Sequence, residues 1–505
     1  MSDAAPKIVI VGAGSACWLA ALTFARVVRN SRDVTVVETP DAAGEPEAEG
    51  TLPGLRSLHR ILGLDERDLM RHSQATFKLG TEFFDAPGAV SRFFHSYGDV
   101  GAALDSVAFH HHWLRVRGDE QSVSDYCLAA VAARLSRFAL PDPDPRSPLS
   151  TLDYGWHLDV HAYVDYLRRK ALQAGVAKIA ARSVHVELRQ ADGFIAAIAL
   201  GDGQRVTGDL FIDCTGPDGV LIGQNLQTPY EDWTDWLPCD REISVSAPAM
   251  PDPSPCTRIT AHSTGWHWRI PLQGRTEHGF IYSSAFLSDD EATAALLSTP
   301  ESPLTGEPRL RRFASGRRRQ IWNRNCIAIG EAAAALEPLE SVRLHHVHST
   351  LTRVIDLFPS ANFPSCLTEE FNRLVANDLE RVRDWLILHY KGSQRRDSPF
   401  WKACSAMSIP ETLARKIELF ASRGRVVMYD EESFPESSWT GLFIAQQCWP
   451  RQIDPRAQML DASRVRNQLN RMKAAIFRTA SALPTHREFI QRYCPTSSAE
   501  AVSHG

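Results

Sequence analysis

Apolar residues follow three rhythms along this chain. Unbroken β-branched runs come first, over residues 8–11 and 34–37. Runs of this kind belong to parallel strands buried on both faces. Between them Leu19, Leu22, Phe24 and Val27 supply the apolar surface of a helix that opens at Ser15. Gly12 and Gly14 sit at the junction, and the second run ends on Glu38. A strand, a glycine turn, a helix and a second strand closed by an acid make a dinucleotide-binding fingerprint. Gly12 allows the tight turn. Gly14 lets the backbone approach a pyrophosphate held by the free N–H groups of the helix N-terminus. Glu38 is placed for a ribose hydroxyl. Cys17 stands where the fingerprint usually has a third glycine, and its small side chain is expected to preserve the turn with a shift.

The second rhythm is alternation. Over 74–84, Phe77, Leu79, Thr81 and Phe83 alternate with Lys78, Gly80 and Glu82. This reads as one strand with one covered face and Lys78 on the other. Strands are predicted over 183–188 and 195–200, joined by a hairpin at Ala191-Asp-Gly193. Further strands are predicted over 209–214, returning to the nucleotide turn, and over 265–271, with Trp266 and Trp268 on one side. Another spans 325–331 and feeds an alanine-rich helix start. His110, His111 and His112 are read on a strand, where neighbouring side chains point to opposite faces and cannot converge on one metal ion. No metal site is predicted.

Helical periodicity is the third rhythm. It covers 55–70 and a segment leading out of Tyr154 to Asp159 through Tyr166 and Leu172. It dominates from about residue 360. Phe371, Val375, Leu379, Val382 and Leu386 recur at three and four residues, with Gly392 beyond them. Leu413, Ile417 and Phe420 line a second helix ended by Gly424, and a third lies near 469–476. Residues 39–54 form a loop with Glu45, Glu47 and Glu49. Residues 496–505 read as a disordered tail. The expected class is α/β, an α+β composite. A Rossmann-like module of 1–360, interleaved with a substrate-facing sheet, would precede a helical module of 361–495.

Composition narrows the classes. The 505 residues, 44% apolar and 23% charged, allow two or three units of an ordinary soluble enzyme. A net charge of −5 argues against nucleic acid as the partner, and short clusters such as Arg317 to Arg319 read as solvated loops. No run of 18 apolar residues suggests a membrane span, and no signal peptide is read. Ten scattered cysteines without a Cys-x-x-Cys pair fit reduced thiols and a cytoplasmic location.

Several segments together resemble the flavin-dependent tryptophan halogenase family. Trp266-His-Trp-Arg-Ile-Pro271 matches the family's WxWxIP motif, and the glycine turn, 74–83, 230–240, 337–341 and 397–401 resemble family blocks. The resemblance implies a flavoprotein-monooxygenase-type FAD module and a largely helical substrate module. It implies FADH2 delivered by a separate NAD(P)H-dependent flavin reductase, a halide oxidised to hypohalous acid, and transfer to an electron-rich aromatic such as an indole. By position, Lys78 is the halogen-transfer lysine. Glu340 is the assisting glutamate, polarising the electrophile or taking the ring proton, and Glu337 is a structural acid. Gly12, Gly14, Ser15, Ala16, Cys17, Glu38, Ala48, Val184, Glu331 and Leu344 fall at FAD positions. Trp266 and Trp268 would keep organic substrate away from the flavin, and a dimer is suggested.

The family pattern is not kept everywhere. Val342 and Arg343 stand where Thr-Gly or Thr-Ser usually helps hold halide; Ala334-Ala335 replace a Gly-Phe pair; Glu331 replaces an apolar residue facing FAD. Two other readings therefore stand beside the halogenase: a halide-independent flavoprotein oxygenase or oxidase, and a binding protein that recognises an aromatic ligand without turnover.

Overall fold

A computed structural model describes residues 6–27, 33–40, 44–86, 91–118, 122–298, 303–358 and 363–495; the expected tail over 496–505 lies outside them. The two β-branched runs become neighbouring parallel strands, Ile8–Gly12 and Val34–Glu38, paired Ile8 to Val34. On its other side Ile8–Gly12 pairs in parallel with Leu210–Cys214, the predicted returning strand. These three lie within a six-stranded sheet continued by Cys326–Ala328 and Ala177–Ala180 and ending at the antiparallel edge Trp322–Asn323. Every residue of the first strand is buried, the reason its sequence shows no alternation. The helix Gly14–Val27 follows at once and packs on the helix Val160–Gln173.

A seven-stranded sheet carries the tryptophan motif. Gly265–Pro271 runs antiparallel to Thr257–His262 and Arg275–Tyr282. The sheet continues through Gly80–Phe84 to the edge strand Ser91–Ser96. A third, three-stranded sheet joins Ala48–Gly50, Gly155–Asp159 and Thr76–Lys78. Beyond residue 363 come the helices Ser365–Lys391, Glu411–Arg423 and Ala462–Ala482. Gly424 ends the second of them at φ +65°, a conformation that favours glycine. Among the described residues no helix is long and apolar enough to cross a membrane.

Several local expectations are corrected. Residues 74–84 form two strands belonging to different sheets. The chain turns at Leu79, whose N–H donates to the Pro255 carbonyl at 2.7 Å. Lys78 is not on a free face, because Thr76, Phe77, Lys78 and Leu79 are all fully buried. Residues 55–70 split into Gly54–Ile61 and Glu66–His72. Gly63 turns the chain at φ +60°, and Asp65 caps the second helix through Asp68 N. The three consecutive histidines lie on a helix, Phe109–Val116. Each finds a separate backbone partner: Gly424 O for His110, Asp454 N for His111 and Leu104 O for His112. The alanine-rich segment begins no helix; it forms a 3-10 turn, Gly330–Ala332, and a short strand, Ala334–Ala335. The expected loop of 39–54 contributes the strand Ala48–Gly50; the segment leaving Tyr154 is the strand Gly155–Asp159 and leads, as expected, into the helix Val160–Gln173 through Tyr166 and Leu172. The hairpin is as expected: Val184–Leu188 pairs antiparallel with Ile195–Leu200 across Gly193 at φ +70°.

Candidate functional site

The nucleotide turn keeps its geometry despite Cys17. Gly12 and Gly14 have φ of +139° and +78°. A Cβ on Gly12 would stand 2.1 Å from the Cys214 carbonyl oxygen, so only glycine fits there. Cys17 lies within the helix Gly14–Val27 and is fully buried. An open cleft of about 750 Å³ lies beside the turn, lined by Ala13, Gly14, Glu38, Arg168, Ala180 and Arg182 among others. Glu38 meets Arg168 at 2.9 Å and Lys178 at 2.5 Å. Val184 begins the next strand, two residues past the cleft wall at Arg182.

A carboxylate already occupies the anion position of this turn. Glu45 Oε1 accepts from Ser15 N at 2.6 Å and from Ser15 Oγ at 3.0 Å. A Cβ on Gly14 would lie 2.2 Å from the same oxygen. The N-terminus of the helix Gly14–Val27 is thus open to a negative group, and its residues fit a pyrophosphate. Arg343 anchors Glu45 from behind at 2.7 Å and also pairs with Glu49, whose Oε1 accepts from Leu344 N at 3.2 Å. Burial acts to raise Glu45, but Arg343 and Ser15 outweigh it and hold the carboxyl below its ordinary range. For Glu49 burial wins over Arg343, and its pKa is raised. Arg343 therefore neither projects into open space nor leaves an unpaired charge. Val342, at the start of the helix Val342–Asp356, is fully buried.

Lys78 ends the strand Thr76–Lys78 with no exposed surface. Its Nζ donates to Ser341 Oγ at 2.6 Å and lies 5.4 Å from the centre of the Tyr97 ring. Gly50, on the strand Ala48–Gly50 across the central strand of the same sheet, makes room for this pair: a Cβ there would stand 2.6 Å from both Nζ and Oγ. Burial pushes the Lys78 ammonium down to about 8, against the pull of Glu340 and Glu49. Ser341 itself sits at φ +61°, an uncommon conformation for a residue with a side chain, and so aims its hydroxyl at the lysine.

Glu340 is also completely buried. Its Oε2 lies 3.0 Å from His95 Nδ1. Its Oε1 lies 3.0 Å from His389 Nε2 and accepts from Trp385 Nε1 at 3.2 Å. Burial alone would raise this carboxyl, but the two imidazoles overcome it and hold Glu340 well below the usual carboxylate range. Glu337, three residues earlier, is the opposite case. It accepts from the Tyr390 hydroxyl, and burial lifts its pKa to about 8, which keeps it neutral near pH 7.

The tryptophans divide between two partners. Trp268 Nε1 donates to Glu242 Oε1 at 3.1 Å, while Trp266 packs edge-on against Tyr390 and Trp401. Glu331 turns to Arg311 at 2.7 Å, so its charge is met by the protein. The structure thus gathers Lys78, Ser341, Glu340 and Gly50 in one place and Gly12, Gly14, Ser15 and Glu38 in another, with Glu49 and Arg343 between. Sequence reading missed His95, His389, Trp385, Gly50 and the latch formed by Glu45. Only Glu45 left a trace there, as one acid of an acidic loop.

Residues 7–462 match the family model described as tryptophan halogenase. The chain is 30% identical to tryptophan 7-halogenase RebH of Lentzea aerocolonigenes over 83% of its own length and 82% of the relative's. Two solved structures superpose with TM-scores of 0.91, each covering 97% of this chain and 99% of the other. They are BrvH, a flavin-dependent halogenase from Brevundimonas sp. BAL3, at 40% identity, and Xcc4156, a flavin-dependent halogenase from Xanthomonas campestris, at 36%. With its flavoprotein-type sheet, nucleotide turn and tryptophan motif in place, the chain belongs to the tryptophan halogenase family and is a flavin-dependent halogenase.

Proposed function

We propose that this enzyme halogenates an electron-rich aromatic ring, with Lys78 directing hypohalous acid to the ring and Glu340 setting the charge around that lysine. One observation carries the reading: Lys78 is fully buried, with its Nζ 2.6 Å from Ser341 Oγ, beside a carboxylate held ionised. A lysine in that setting is available both as a neutral amine and as a hydrogen-bond donor. Either form can hold and orient HOX.

The cofactor proposed is FAD, used as FADH2. The first N–H groups of the helix Gly14–Val27 would hold its pyrophosphate in place of Glu45, with Gly12, Gly14, Ser15 and Ala16 forming the turn. Glu38 would take the ribose, and Ala48, Val184, Glu331 and Leu344 complete the proposed cofactor positions. Reduced flavin supplies the reducing equivalents for oxygen activation. A separate NAD(P)H-dependent reductase would regenerate it, and assembly as a homodimer is part of the same reading. Val342 and Arg343 are proposed to border the halide, whose charge Arg343 can meet once Glu45 withdraws. Residues 1–360 and 361–495 are proposed as the two modules, and the long helix Ser365–Lys391 brings Trp385 and His389 from the second to Glu340.

The test supplies the purified protein with a flavin reductase, NADH, bromide or chloride, and a panel of indole and tryptophan. Halogenated product is expected, and Lys78→Ala should abolish it while NADH consumption continues. An enzyme that binds FAD normally yet makes no product with either halide on any aromatic would refute the proposal.

A further inference from the structure

Glu340, His95 and Ser438 lie in a line that ends at a cavity. His95 Nδ1 is 3.0 Å from Glu340 Oε2, and its Nε2 is 3.2 Å from Ser438 Oγ. An ionised carboxylate only accepts hydrogen bonds, so Nδ1 carries a hydrogen, and in the neutral ring Nε2 then turns its lone pair to the serine hydroxyl. Ser438 sits in the first turn of the helix Glu436–Ala445. With Phe93, Phe94 and Phe109 it lines a cavity of about 230 Å³. Glu436 is exposed at its mouth, and among the described lining residues there is no lysine or arginine.

Glu340 does not reach this space. Both its oxygens are engaged, by His95 on one side and by His389 and Trp385 on the other, and none of its surface is exposed. The arrangement is that of a base held by a carboxylate with a hydroxyl before it. We propose that an aromatic ring in this cavity loses its proton through Ser438 to His95, and that Glu340 holds the imidazolium so formed without touching the ring. This rests on the halogenase reading above.

The step balances. A C–X bond forms as the O–X bond of HOX breaks, and the departing hydroxide takes a proton from Lys78 to become water. The ring C–H bond then breaks, its electron pair restoring aromaticity. That proton passes to Ser438 Oγ as the hydroxyl's own proton moves to His95 Nε2. Net, ArH and HOX give ArX and water, with one proton moved from Lys78 to His95 and equalised later through solvent. Of the titratable groups, Glu340 touches His95 and Tyr97 packs edge-on against it, while His389 and Lys78 act on the same carboxylate.

Single-turnover bromination of indole, and of indole deuterated at its reactive carbons, tests the relay in wild type, Ser438→Ala and His95→Asn. The asparagine keeps a donor toward Glu340 but offers no base to Ser438. Both variants should slow ring bromination by roughly 100-fold and acquire an isotope effect, slower with deuterium, that wild type lacks. Ser438→Ala should retain wild-type FAD affinity and melting temperature. Wild-type rates without an isotope effect in Ser438→Ala would overturn the relay. A wild type that brominates no aromatic would instead count against the functional reading. Histidine-selective 15N spectra decide the relay independently of turnover: an unprotonated His95 Nε2 is expected, and a protonated one overturns it.

Discussion

If the pyrophosphate of FAD binds at this turn as proposed above, it must displace Glu45 from Ser15, so removing Glu45 should tighten FAD binding. In the free enzyme its Oε1 takes both donors of Ser15, at 2.6 and 3.0 Å, while Arg343 steadies it at 2.7 Å. FAD binding must break these contacts, so wild-type affinity equals the intrinsic affinity less their net value. Hydrogen bonds to a charged group contribute about 1.5–3 kcal/mol net. At about 1.4 kcal/mol per factor of ten, Glu45→Ala should lower the dissociation constant for oxidised FAD by roughly 10- to 100-fold. The unliganded variant should melt earlier, because it has lost the same contacts, and Arg343 retains only Glu49. Flavin fluorescence titration at fixed salt, with thermal unfolding of the free protein, measures both. Glu49→Ala is the control: Glu49 pairs with Arg343 but accepts no hydrogen bond from Ser15, so it should not tighten binding. An unchanged or larger dissociation constant in Glu45→Ala would refute the competition.

Other outcomes follow from the same geometry. Lys78 is held at about 8 against an ordinary 10.5, so its charge costs the folded state up to about 3 kcal/mol below pH 8. The unfolded chain binds the extra proton between pH 8 and 10.5, so this cost fades as pH rises through that window. Lys78→Met should therefore melt higher than wild type at pH 7, with the gap closing toward pH 10 in unfolding curves. Gly50→Ala should push Lys78 from Ser341, costing about 1–3 kcal/mol of stability and most of the halogen transfer, read by denaturant unfolding and product yield. Glu337 is raised to about 8, so wild type loses stability as pH climbs from about 4.5 to 8 and the unfolded carboxyl ionises. Glu337→Gln should flatten that decline and leave pH 7 activity intact. Glu340→Gln, which removes an ionised partner of two histidines, should cost roughly 3–5 kcal/mol in the same unfolding assay.

What could be read in the sequence was local. The nucleotide turn was legible because its strand, glycines and helix are consecutive, and the hairpin because Gly193 lies between two short apolar runs. The helix Ser365–Lys391 was legible because one apolar face repeats from Phe371 to Leu386, about four turns. Residues 74–84 were misread because alternation reports a strand with one covered face, whereas here both flanks of Lys78 are buried and the break at Leu79 is made by a distant carbonyl, that of Pro255. The partners of Glu340 were invisible for a related reason. His95 is 245 residues away, and a single histidine in an aromatic strand gives no sign of what it faces. The charge of Arg343 was plain, and so was the acidity of the loop that neutralises it; nothing short of the fold joins the two.

Ser91–Ser96, the helix Ser365–Lys391 and the segment holding Glu340 each bring part of one anion's surroundings. None of them can satisfy Glu340 alone, and a carboxylate left buried without partners is strongly destabilising. The packing of the long helix against the segment holding Glu340 is therefore also what makes the site electrically complete. Packing of the long helix and completeness of the site thus meet at a single side chain.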